Sequence, residues 1–359
     1  MNRYKVSYYA HHFGTGHLRH AQKIAASNLF DLQVTSTGPR NNALLKGNLE
    51  YVSLVPDVIA AIPEPALPPG SFLHYAPTGE LIQQRFAELN RAWKQFAPDV
   101  VMVDVSVEVA LFARLSGYRV AFRRMPGNRN DPAHQLAYSL ADTIFGYFPV
   151  SLEDPTHLEK FGYKTHYLSV AEPKDSSFSP GHDTSYTPGQ QKVVVQTSLA
   201  SAIPLEHLAR AAAASPEWDW DVVGSVEADA TPLPSNLRLH GVLSDPIPIM
   251  RSATVIISSA GHNAVVAAAN CHRPVLLVPE ERPYAEQLTF AVALHKRAGL
   301  EMVENWSTSV NWPRILEQAA ISDPHALAKT LFIQPANFNE RLLDLLHATA
   351  TDAQTSVIF

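Results

Sequence analysis

Histidine has an ordinary pKa of about 6.5, which suits it to take a proton close to neutral pH. His17 closes the run His11-His12-Phe13-Gly14-Thr15-Gly16-His17, where an apolar strand pattern, Tyr4–Ala10, gives way to a helical one, His17–Ser27. Glycines at such a turn let the backbone come close to a ligand. At the head of a helix the dipole favours the neutral imidazole, the form a general base requires. A carboxylate able to orient it is Asp104, at the end of the apolar run Val100-Val101-Met102-Val103. In an open α/β sheet, ligands lie beyond the carboxyl ends of the strands. Asp104 and His17 would therefore share one edge and pair as the acid and base of a triad do. Asp104 and Ser106 also precede a helical pattern, so an N-cap is the competing reading.

A second group surrounds a second strand-to-helix turn. Ser258-Ser259-Ala260-Gly261-His262-Asn263 joins the strand candidate Thr254–Ser258 to an alanine-rich helix, His262–Asn270. Free amides at a helix N-terminus make an anion site suited to a diphosphate, and Asn263 adds a side-chain donor. The next strand ends in Val278-Pro279, and Glu286-Gln287 follow. A carboxylate beside an amide offers both acceptors and donors, as a hydroxyl-rich ligand needs.

A dinucleotide is disfavoured at the first loop. The third glycine of a G-x-G-x-x-G fingerprint would fall at Arg19, and strand two ends in Thr35-Ser36-Thr37, without an acid for the ribose. The pair His11-His12 lacks a neighbouring acid, so no metal is expected there. Arg123, Arg124 and Arg129 read first as solvated loop charges and second as a grip on an anionic acceptor. The proline-rich, apolar loop 62–77 has the make-up of a lid or binding loop. His74 lies within it, on the acceptor side.

Elements to position these groups are abundant. The chain has 359 residues, 46% hydrophobic and only 17% charged, against an ordinary charged share of about 25%. That balance excludes a disordered chain and calls for a large interior with a sheet covered on both faces. The net charge is −6 and no basic stripe is present, which argues against nucleic acid. One cysteine, Cys271, rules out an internal disulfide and fits a reducing cytoplasm. No signal peptide or membrane span is read in the sequence, leaving peripheral contact with a membrane open.

Strand candidates at 4–10, 32–37, 100–104, 119–123 and 143–147 alternate with helical stretches at 17–27, 81–96, 107–115 and 133–141. After a polar stretch rich in Pro, Gly and Ser the alternation restarts, with strands at 192–196, 220–223, 237–239, 254–258 and 275–279. Two parallel, doubly wound α/β halves are the natural parse. The expected division is 1–171, a linker 172–191, a second half 192–334, and a last segment 335–359. A helix over 337–347 in that segment is expected to return to the first half.

The run Ser259 to Gln287 resembles the donor-binding region of GT-B glycosyltransferases, families 28 and 1. There an S-x-G or G-x-N stretch opens a helix, the next strand ends in V-P, and a D-Q or Q-Q pair follows shortly after. Ala260-Gly261-His262-Asn263, Val278-Pro279 and Glu286-Gln287 stand in that order. Gly241-Val242-Leu243-Ser244-Asp245 is similar to the G-x-x-x-D element whose backbone reads the nucleotide base, and Gly14-Thr15-Gly16-His17 to the G-x-G-H loop. The stretches 103–110 and 125–131 look like those of bacterial members of the group, which includes the lipid II N-acetylglucosaminyltransferases. The resemblance covers most of the chain and implies two Rossmann-like domains facing a cleft.

It further implies transfer of a sugar from a nucleotide-diphosphate donor, UDP-linked by preference, to an acceptor hydroxyl, without a metal or other cofactor. His17 would be the base and Asp104 its partner. Gly16, Ser198, Val242, Ser259, Gly261, His262, Asn263, Glu286 and Gln287 would hold the donor. His12, His74 and Arg129 would face a small-molecule, glycan or lipid-linked acceptor. The expected location is the cytoplasm, at the inner face of the membrane for a lipid-linked acceptor. Two positions depart from the pattern. Ala267 stands where the family places a ribose-gripping glutamate, and Gln196-Thr197-Ser198-Leu199-Ala200-Ser201 replaces a glycine-rich loop. A nucleotide-sugar hydrolase or epimerase on the same fold, or a non-catalytic nucleotide-sugar binder, are the competing expectations.

Overall fold

A computed structural model describes residues 3–11, 16–47, 49–56, 71–74, 78–172, 191–197, 203–227, 231–306 and 309–351. The first half runs β1 (Lys5–Ala10), α1 (Gly16–Ser27), β2 (Asp31–Thr37), β3 (Glu50–Leu54), α2 (Glu80–Phe96), β4 (Val100–Asp104), α3 (Val107–Leu115), β5 (Val120–Arg123), α4 (Pro132–Leu140), β6 (Thr143–Gly146), α5 (Pro155–Phe161), β7 (Thr165–Tyr167) and β8 (Val170–Ala171). The second runs β9 (Lys192–Gln196), α6 (Leu205–Ala213), β10 (Asp219–Val223), β11 (Leu237–Gly241), α7 (Ile247–Arg251), β12 (Val255–Ser258), α8 (His262–Ala269), β13 (Val275–Leu277), α9 (Glu286–Ala298) and β14 (Glu301–Met302). The chain then continues through α10 (Trp312–Ala320), α11 (Ala326–Leu331), β15 (Phe332–Ile333) and α12 (Pro335–Ala350).

Two parallel sheets result, ordered β3-β2-β1-β4-β5-β6-β7 and β11-β10-β9-β12-β13-β14. Both are doubly wound. Their direction of winding reverses between β1 and β4 in the first and between β9 and β12 in the second, where such sheets bind ligands. Register then places the site. Ala10 pairs with Asp104, so the acid lies beside the strand end that leads to His17. Gln196 pairs with Ser258, so the turn into α8 lies at the equivalent place in the second sheet.

Alternation sends successive side chains to opposite faces. Tyr8 and Met102 point to the face covered by α1 and α12, where Ile24, Leu342, Leu345 and Leu346 are buried. Tyr9, Val101 and Val103 point to the face covered by α2, α3 and α4, around Trp93 and Tyr138. The halves are not separate cores. Phe148 and Leu152 of the first are buried with Phe290, Leu294 and Leu327 of the second. The short β15 pairs in parallel with β8, and α12 follows it onto the first sheet. Among the described residues, no helix is long and apolar enough to cross a membrane.

Candidate active site

His17 and Asp104 meet. The imidazole Nδ1 lies 2.9 Å from Asp104 Oδ1, with the acid fully buried and the histidine side chain 14% exposed. The competing cap role falls to Ser106, whose Oγ accepts the amide of Val109 at 3.2 Å. Between them Val105 takes φ 68°, a conformation a β-branched residue rarely adopts, and this turns the chain from the acid into α3.

Asp104 is shared, however. Arg123, at the end of β5, donates to the same Oδ1 at 2.6 Å, and Tyr8 donates to Oδ2 at 2.7 Å. Burial by itself would raise the Asp104 pKa. The Arg123 guanidinium, then His17, outweighs it and holds the carboxyl well below the usual range. The first-choice reading of Arg123, Arg124 and Arg129 as solvated charges is corrected: all three are buried. Arg124 pairs with Glu153 at 2.8 Å, and Arg123 lies over the Tyr147 ring, 5.0 Å from its centroid. A buried guanidinium survives only when paired, and each of these three has a carboxylate. Arg123 closes a strand next to β4, so the edge rule that located Asp104 also pointed to it.

A seam of histidines joins the halves beside this centre. His20 stacks on Tyr147 at 4.1 Å between centroids, and His262 Nε2 donates to the Tyr147 carbonyl at 2.9 Å. His262 is the first residue of α8, and this bond commits it to the opposite half. Burial first, then Arg123 and Lys23, lowers its pKa to about 3, so the ring is neutral. Lys23, on α1, is itself lowered to about 8, chiefly by burial and then by Arg123.

The turn into α8 owes its shape to the residue before the glycine. The left-handed residue is Ala260, φ 63°, and Gly261 has an ordinary extended conformation as N-cap. Space at 261 is tight, because a Cβ there would lie 3.3 Å from Gln287 Nε2. Gln287 Oε1 in turn accepts the Glu280 amide at 2.8 Å, so this side chain braces the turn. Among the described residues no side chain caps α8, so its leading amides are open to a ligand. Gly16, at the head of α1, approaches the same turn: a Cβ on it would lie 2.6 Å from Asn263 Nδ2. The two helix N-termini therefore face each other. Ser259 is buried beside them.

Glu286, in the first turn of α9, pairs with Arg129 at 2.8 Å across the halves. The same guanidinium lies over Tyr284, 4.3 Å from the ring centroid, and the Asn128 amide donates to the Tyr284 carbonyl at 2.7 Å. Tyr284 and Ala285 both have positive φ, 61° and 49°. His74 is here too, its Nε2 3.0 Å from Asp131 Oδ1, while His134 Nδ1 lies 2.6 Å from Asp131 Oδ2. Ligand atoms of His74, Asp131 and His134 lie within 4.8 Å of one another, a make-up that a divalent metal can use. The proton pattern favours a hydrogen-bonded chain, His74–Asp131–His134, instead. Arg129 Nη1 faces His134 Nε2 at 3.4 Å, so Nε2 is the acceptor and Nδ1 carries the proton toward Asp131. A metal on Nδ1 would move that proton to Nε2, against the guanidinium. Burial, then Arg129, lowers the His134 pKa to about 3.

Val242, after the left-handed Gly241, is 60% exposed at the end of β11. Ala267 lies on α8 against the shared core, with no carboxylate in its place. His12 and Ser198 lie outside the described residues, as does most of the loop 62–77. Sequence reasoning missed His20, Tyr147, His134 and Tyr284, the last because nothing in its neighbours signals a left-handed pair.

Two doubly wound sheets with their switch points turned toward each other define the GT-B fold, and this chain has it. MurG of Acinetobacter baumannii superposes with a TM-score of 0.60 at 16% identity, over 96% of this chain and 99% of that one. A UDP-glucosyltransferase from Polygonum tinctorium, capable of glucosylating indoxyl, gives 0.64 at 13% identity over 98% of this chain and 95% of that one. The glycosyltransferase SnogD from Streptomyces nogalater gives 0.61 at 14% identity, over 96% and 100%. No family model matches the sequence, and no curated protein matches it.

Proposed function

We propose that the protein is an inverting glycosyltransferase that moves a sugar from a nucleotide-diphosphate donor to an acceptor hydroxyl. The observation that carries this reading is the 2.9 Å contact of His17 Nδ1 with Asp104, opposite the uncapped N-terminus of α8. With Nδ1–H given to the carboxylate, Nε2 keeps a lone pair for the acceptor proton. As that proton leaves, the acceptor oxygen bonds to the anomeric carbon and the bond to the diphosphate oxygen breaks. The electron pair departs with the diphosphate, and a single displacement inverts the centre. The α8 amides and Asn263 would receive the developing charge, so the step needs no metal.

The donor is proposed to be UDP-linked, with the ribose held otherwise than by a glutamate, since position 267 is alanine. Its sugar hydroxyls would claim Glu286 from Arg129. The acceptor is a small molecule, a glycan or a lipid-linked saccharide presented at the cytoplasmic face of a membrane. Titration calorimetry with UDP and UDP-sugars, on wild type and Asn263→Ala, tests the donor site. Turnover of the sugar that binds tests the base: His17→Ala should lower kcat by about 10²–10⁴-fold with donor affinity little changed. Full activity in His17→Ala, or no nucleotide bound at millimolar concentration, would overturn the reading. Release of free sugar at an undiminished rate without acceptor would make the protein a hydrolase.

A further inference from the structure

Along α9 from Thr289 to Arg297, the two halves flank an open cavity of about 380 Å3. One wall is the chain at Pro126–Gly127 and Ser151–Pro155, the other α9 from Thr289 to Arg297. The volume falls within the range of about 300–1,000 Å3 common to small-molecule pockets. Its floor is apolar: Leu152 and Phe290 are buried in the shared core, and Val292 and Ala293 line the helix side.

The charges at the mouth do not cancel. Arg124 and Glu153 neutralise each other in a buried pair at 2.8 Å, and the Tyr167 hydroxyl donates to the same carboxylate at 2.9 Å. Asp154 is occupied in part by the Thr156 amide, which it accepts at 2.7 Å. Lys296 and Arg297 are exposed and have no ion-pair partner among the described residues. Two free cations against one acid leave the mouth positive. Placement in the last turn of α9 suits the helix dipole, but the dipole does not account for the apolar hollow beside them.

We propose that this cavity binds a small amphipathic anion, with its apolar body on Leu152 and Phe290 and its anionic head at Lys296 and Arg297. The site is separate from the base and the donor groups, and of the acceptor-side candidates only Arg124, already held by Glu153, lines it. An occupant would touch both halves and α9, the helix that starts with Glu286-Gln287. It therefore sits where it can set the spacing of the cleft.

Decanoate, below its micelle concentration, is the probe, titrated calorimetrically into the full chain. Saturable binding of one molecule is expected, with decanol at least about tenfold weaker. The pair Lys296→Glu with Arg297→Glu should weaken decanoate by about tenfold or more. Ser151→Trp, which adds bulk at an exposed position of the wall, should abolish binding. Circular dichroism checks that each variant folds; should Ser151→Trp not fold, the surface charge pair decides alone. The proposal fails if decanoate does not saturate at 1 mM, if decanol binds equally, or if folded variants bind as wild type does. It also fails if vesicles of anionic phospholipid bind through Lys296 and Arg297 while decanoate does not, since the two cations are then a membrane contact.

Discussion

Asp104 answers to three donors at once, and each constrains the others. Its charge orients His17, neutralises Arg123 and accepts the Tyr8 hydroxyl, all without solvent. Removing one partner of a buried pair leaves the other uncompensated, at a cost of about 3–5 kcal/mol. Asp104→Asn and Arg123→Met are each expected to lose stability on that scale in urea unfolding. The nearby histidines give a separate signature in acid. His262 and His134 titrate at about 3 in the folded chain against about 6.5 unfolded. Between those values only the unfolded chain takes up their protons, so stability falls as pH drops, by up to about 1.4 kcal/mol per unit for each histidine. Asp104 acts elsewhere: its depressed pKa gives stability present above about pH 4 and lost only below it. A melting temperature that declines between pH 7 and pH 5 therefore reports the histidines, and His262→Gln should flatten that decline.

At the scale of elements, the loop after β5 and the segment before α9 hold each other in shape. Gly127 has φ 108°, and a Cβ there would lie 2.8 Å from the Tyr284 carbonyl and 3.0 Å from Glu286 Cα, both backbone atoms. Gly127→Ala should cost about 1–3 kcal/mol and speed amide exchange across residues 283–287, as followed by mass spectrometry. The sequence made the parallel strands legible because buried strands are continuous apolar runs, as in Val100-Val101-Met102-Val103. It also made His17, Asp104 and the α8 turn legible, because strand ends at a winding reversal face one edge. Other elements carried no such signal. β3 lies on the sheet edge and mixes exposed with buried positions, while β8, β14 and β15 are two residues each and owe their pairing to tertiary context. The bond of His262 to Tyr147 and the pair Arg129–Glu286 join residues 115 and 157 apart in the chain, beyond any local pattern.

At the scale of the whole molecule, the last described helix completes the first sheet's core. Phe338, Leu342, Leu345 and Leu346 are buried with Val6, Tyr8 and Met102. Leu345→Ala should destabilise by about 2–5 kcal/mol, and chain ending at residue 334 should leave the first half unable to hold its tertiary signal in near-ultraviolet dichroism. This placement sets an order on synthesis. A ribosome adding about 5–20 residues per second takes roughly 10–30 s to pass from residue 173 to residue 334. Throughout that interval the first sheet would have α1 on that face but not α12, leaving part of it open, while the second half emerges with most of its own core at hand. Nascent chains of this protein are therefore expected to finish their later half first, and to offer chaperones the earlier half until α12 arrives.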